Sequence, residues 1–148
     1  MSMLEPAAAA CIDRTRSAVL NVLVAVGFGI AASGLLLRNR ESRTLAPVGK
    51  WLLAGLFVIA VMSYATRRVL ARRLVLEAPE TRAGRYFRAH VLSAAGAALA
   101  VPLGFVHGWL VRPNLQSVAP YWVVALTLGF LALPREHELE GFREPISM

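Results

Sequence analysis

The sequence predicts an all-α integral membrane protein, a four-helix bundle of two transmembrane hairpins with both termini cytoplasmic. Three observations point there. Four long apolar runs, Ser17–Leu37, Trp51–Thr66, Val91–Val111 and Val118–Leu133, contain no Asp, Glu, Lys or Arg. The chain is 57% hydrophobic with a mean hydropathy of +0.56, and its charges are segregated between the runs. The basic residues are divided unequally between the two sides that such a fold would create. A hydrocarbon core of about 30 Å needs about 20 helical residues at a rise of about 1.5 Å each. The first and third runs meet this length directly, and the second and fourth need their flanks. The expected spans are residues 17–37, 48–68, 89–111 and 117–133, within a single membrane domain covering residues 1–148.

The first span follows Arg14 and Arg16. Ala31-Ala32-Ser33 resembles a signal-peptide cleavage site, but the apolar stretch continues through Leu35, Leu36 and Leu37, so an uncleaved span is expected. Cys11 is the only cysteine, which excludes an intramolecular disulfide. Its tail position suggests no chemistry. The second span begins near Pro47 and Val48, since proline is tolerated in a first helical turn.

Beyond Thr66, arginine pairs recur every five residues with aliphatic residues between them: Arg67, Arg68, Arg72 and Arg73. This predicts that the second helix runs on past the membrane, or lies along its surface, with the break near Ala78-Pro79. The middle connection, residues 69–88, is expected on the cytoplasmic side, and these four arginines are candidate contacts for anionic lipid. Glu80-Thr81 opens a new helix that enters the bilayer near His90, and Pro102 is expected to kink it. Residues 112–117 form a turn, Pro120 falls early in the fourth helix and Pro134 ends it. The tail Glu136–Gly141 is acidic and expected to be solvated.

Orientation follows from the short flanks. One side carries eleven Lys and Arg residues, in the N-terminal tail, the middle connection and the C-terminal tail. The other carries five: Arg38, Arg40, Arg43, Lys50 and Arg112. The richer side is expected inside. Trp51, Trp109 and Trp122 then share the outer interface, where indole rings are favoured. The same rule accounts for a net charge of +7 without nucleic acid, which is not expected as a partner. The basic residues are almost all arginine, with Lys50 the only lysine; this bias points to a GC-rich bacterial genome and hence to a bacterial inner membrane.

Small residues mark two spans. Gly29-x-x-x-Ser33 and Gly104-x-x-x-Gly108 each place two of them on one helix face, and Gly96 lies in an alanine-rich stretch. Inside a bilayer, helices associate through close packing rather than through burial from water. These five residues are therefore candidate packing positions, within the chain or against another subunit.

The chemistry-bearing residues are sparse. No run holds a carboxylate or a lysine, the usual mark of ion coupling. His90 and His107 stand about 25 Å apart on one helical run, too far to share a haem. No catalytic, metal or cofactor site is expected. His107, about one turn inside the outer interface, is the ionisable oddity of the runs, and with Arg112 it forms a candidate polar pathway; Asn21, Ser63 and Ser93 read as interhelical hydrogen-bonders.

The stretch from Arg85-Tyr86-Phe87-Arg88-Ala89-His90 through Pro102-Leu103-Gly104 to Leu133-Pro134-Arg135 resembles small bacterial four-helix inner-membrane proteins. Its hairpin is similar to those of rotary ATPase proteolipids. That resemblance implies ion translocation through a helix carboxylate, but the matching segment Ala97-Ala98-Leu99-Ala100-Val101 has no acid. The expectation is a non-enzymatic accessory or scaffolding subunit, in contact with lipid and with other membrane subunits or copies of itself. The alternative is a small homo-oligomeric transporter or channel for a neutral or anionic solute.

Overall fold

The computed structural model describes residues 6–39, 41, 45–73 and 79–135. The acidic tail Glu136–Gly141 lies outside them. The described residues are helical, with connecting turns and no strand. The helices are α1 (Pro6–Leu37), α2 (Ala46–Arg73), α3 (Pro79–Ala98), α4 (Ala100–Leu110) and α5 (Leu115–Leu131).

α1 begins eleven residues before its apolar run, where the sequence suggested a tail. Proline suits a first helical position and alanine has the highest helix propensity, so Pro6 and Ala7–Ala10 open the helix well. Packing holds the extension. Ile12 and Thr15 are buried, the Arg14 guanidinium lies 5.4 Å from the centre of the Phe87 ring, and Cys11 Sγ donates to the Ala83 carbonyl at 3.6 Å. Thr15 Oγ1 is satisfied by the Cys11 carbonyl one turn back, at 2.7 Å.

α3 and α4 are one helical run interrupted at Leu99. Pro102 has no N–H to offer the Ala98 carbonyl, so the regular ladder is lost there. Leu99 N–H instead bonds the Gly96 carbonyl, three residues back, at 3.2 Å. Asn114 starts α5 by accepting from the Gln116 N–H at 3.2 Å. Pro120 sits in the second turn of α5, deeper than the sequence alone suggested, because the helix already starts at Leu115.

Three helical stretches are long and apolar enough to cross a membrane: Ala9–Leu37, Pro47–Leu70 and Thr81–Leu110. α5 is apolar but has only 17 residues, about 25 Å, short of a full hydrocarbon core. Pairwise contacts give the directions. Gly29 and Leu37 of α1 meet Val101 and Gly108, so α1 runs parallel to the α3–α4 run. Gly49, Gly55 and Gly96 pair α2 with α3–α4 in the opposite sense, through Val111, Leu103 and Ser63. α5 also returns antiparallel, with Tyr121 at Gly104 and Val118 at Gly108. The α3–α4 run is central: 44% of its most apolar window is buried, against 22% for α1 and 17% for α2.

Two apolar cores hold the helices. One contains Val26, Leu56, Ala100, Val101, Tyr121 and Ala125, the other Val19, Leu23, Ala94 and Ala132. Much larger side chains point outward, including Phe28 at 74% exposure, Phe57 at 70% and Trp51 at 79%. Bulky apolar residues outside and alanines inside suit a lipid solvent, which charges nothing for the former and rewards close helix approach in the latter. The chain is accordingly described as a membrane protein.

Candidate functional site

The small residues divide into two groups. Three of the five candidate packing positions are filled seams within the chain. A methyl at Gly96 would stand 2.8 Å from Ser63 Oγ. At Gly104 it would stand 2.6 Å from Tyr121 Cβ, and at Gly108 2.5 Å from Leu37 Cδ1 and 3.0 Å from Val118 Cγ2. Gly129, not singled out by the sequence, behaves alike against Leu23 Cδ2 at 2.6 Å. Gly29 faces Val101, and the buried Ser33 hydroxyl donates to the Ile30 carbonyl of its own helix at 2.9 Å.

Gly29 and Ser33 also line a cleft of about 300 Å³ between α1 and α4, open on one side. Ala32 and Leu36 continue its α1 wall, and Val101, Pro102 and Phe105 form the other. Gly27, on a different flank of α1, has no atom within 4 Å of where a methyl would sit. Ala31, one turn on, is exposed, and Val24, Phe28 and Leu35 stand beside the pair, also exposed.

Three buried polar side chains, His107, His90 and Ser93, tie one helix to another. His107 is 6% exposed, and its Nδ1 shares a hydrogen bond of 2.9 Å with the hydroxyl of the fully buried Tyr121. Their ring centres are 5.3 Å apart. Gly49 of α2 lies against this ring, with its Cβ position 3.5 Å from His107 Cε1, an ordinary contact distance. At the opposite end of the run, His90 Nδ1 donates to the Ala132 carbonyl at 2.6 Å and its ring stacks at a tilt on Tyr86. Ser93 Oγ donates to the Ser63 carbonyl at 2.9 Å, joining α3 to α2. Sequence reasoning missed Tyr121 and His90. Nothing local to Tyr121 signals that its hydroxyl meets a histidine fourteen residues earlier.

The arginines serve differently from one another. Arg67 Nη1 donates to the Leu131 carbonyl, satisfying an acceptor that the end of α5 leaves open. Arg68 Nη1 donates to the Tyr64 hydroxyl at 2.7 Å, one turn back on α2. The Arg72 and Arg73 side chains lie outside the described residues. Arg112 is exposed beyond the end of α4, separate from the His107–Tyr121 pair. Among the described residues, no three His, Cys, Asp or Glu side chains gather as metal ligands would.

No protein-family model matches the chain, and neither a curated protein nor a solved structure shows significant similarity to it.

Proposed function

We propose that the protein is a non-enzymatic accessory or scaffolding subunit of a bacterial inner-membrane complex. In this reading it is a four-helix bundle of two transmembrane hairpins, with α5 as the fourth crossing and both termini cytoplasmic. The eleven-to-five division of basic residues supports that orientation.

The observation that carries the proposal is the outward flank of α1. Gly27 and Ala31 lie four residues apart, exposed and beside the projecting Val24, Phe28 and Leu35. A small-x-x-x-small notch next to a ridge lets a second helix approach closely, and dispersion then holds the pair. Gly96, Gly104, Gly108 and Gly129 are occupied by the chain's own side chains, whereas Gly27, within the apolar run, is open. The partner is another membrane subunit or a second copy. The burial of His107 against Tyr121 and Gly49 favours a tie between helices over a position on a solute path.

Gly27→Leu tests this cleanly. Because nothing lies within 4 Å of the added carbon, the isolated chain should keep its thermal stability to within about 0.5 kcal/mol. Crosslinking and mild-detergent co-purification from native membranes should nevertheless fall by about tenfold, through lost close packing at the notch. Undiminished co-purification, or a wild-type chain that is strictly monomeric and partnerless, would remove the notch from the account.

A further inference from the structure

We propose that the cleft between α1 and α4 is a binding site for one anionic phospholipid, with an acyl chain in the cleft and the phosphate at Arg112 and Arg38. The inference concerns a different flank of α1 from the Gly27 notch and does not depend on it.

The lining points to an apolar occupant. The α1 wall runs from Gly29 to Leu36, about 10 Å at the helical rise, and the cleft is open along one side. Its walls are apolar: even the Ser33 hydroxyl is turned back onto its own helix.

The polarity along α4 matches a phospholipid read from tail to head. Val101, Pro102 and Phe105 line the cleft. Trp109, one turn further, lies 5.5 Å from Phe105 between ring centres, and an indole favours the headgroup boundary. Arg112 follows two residues after α4 ends at Leu110, toward the same end, and is exposed. Leu37 reaches Gly108, which brings Arg38, also exposed, to the level of this end. Neither arginine forms an ion pair with a described residue. Guanidinium groups suit phosphate oxygens geometrically as well as electrically. Glu41, exposed in the same connection, is the one carboxylate on a side whose flanks carry five basic residues, leaving a net attraction for a headgroup of negative charge. The proposal also gives a use to basic residues on the side where the positive-inside rule wants few.

Native mass spectrometry of the full chain in a neutral detergent tests the site, with phosphatidylglycerol or phosphatidylcholine of identical chains added. The wild type should retain one phosphatidylglycerol in preference to phosphatidylcholine by about tenfold. Ala32→Phe, which fills the cleft, should lower retention of either lipid, whereas Arg38→Gln with Arg112→Gln should abolish the preference while leaving the cleft intact. Arg88→Gln, at the other end of the helices, should change neither. Inorganic phosphate should fail to compete, since it lacks the chain. Equal retention of the two lipids by the wild type would overturn the proposal. So would unchanged preference in the double arginine variant, which is surface-exposed and keeps the fold, or displacement of the lipid by phosphate alone.

Discussion

Gly104→Ala is expected to destabilise the folded chain by about 1–3 kcal/mol, the range for overpacking a filled interior. The added methyl would lie 2.6 Å from Tyr121 Cβ and 3.0 Å from its Cγ. Those atoms are tied to the backbone of α5, so relief requires the two helices to separate. Gly129→Ala makes the instructive comparison. There the obstacle is Leu23 Cδ2, the end of a flexible side chain, which can change rotamer at about 0.5–1.5 kcal/mol if it must sit off a minimum. Unfolding in mixed micelles should rank Gly104→Ala well above Gly129→Ala. Equal effects would mean that the α4–α5 seam is looser than its contacts indicate.

The second large effect should come from the His107–Tyr121 pair. Tyr121→Phe removes one hydroxyl and leaves a buried ring nitrogen without its partner. An unsatisfied buried group of this kind costs about 1–3 kcal/mol. Within membrane bundles the measured coupling is smaller, about 0.6 kcal/mol on average and about 1.7 at most, because the unfolded helices find other partners. We therefore expect Tyr121→Phe to cost about 1 kcal/mol and to be less than additive with His107→Leu. Additive losses would show that the hydrogen bond at 2.9 Å contributes nothing beyond the packing of each ring. The His90 bond to Ala132 pins the other end of the same helix pair. The two histidines thus fix how α5 lies along the α3–α4 run, and this is a structural use of the residues that first looked most like chemistry.

The apolar runs were legible because a helix in lipid must be continuous and uncharged, and that constraint acts residue by residue. The interruption before Pro102 was legible for the same local reason: a missing N–H has one consequence in a helix. The N-terminal extension of α1 was not. Asp13, Arg14 and Arg16 read as a solvated tail, and only the docking of Ile12 and Thr15 and the contact of Arg14 with Phe87 reveal a packed helix. The flanks of α1 were illegible in a different way. The helix is apolar on all sides, so no periodicity says that Gly29 and Ser33 turn toward α4 while Gly27 and Ala31 turn outward. The pairing of His107 with Tyr121 depends on the register of two antiparallel helices, which is set by Gly104 and Gly108 acting together.

The central claim is that α5, although only 17 residues long, crosses the bilayer and returns the chain to the side on which it began. Single-cysteine labelling in intact cells tests it most directly, with a maleimide that cannot pass the membrane. Native Cys11 serves for the N-terminal side, and Asn39→Cys, Asn114→Cys and Ser147→Cys, each in a Cys11→Ser background, serve for the rest. The account predicts that positions 39 and 114 react from outside, and that positions 11 and 147 react only after the membrane is opened. Reaction of positions 114 and 147 from the same side would mean that α5 does not cross, and the four-span topology would be wrong.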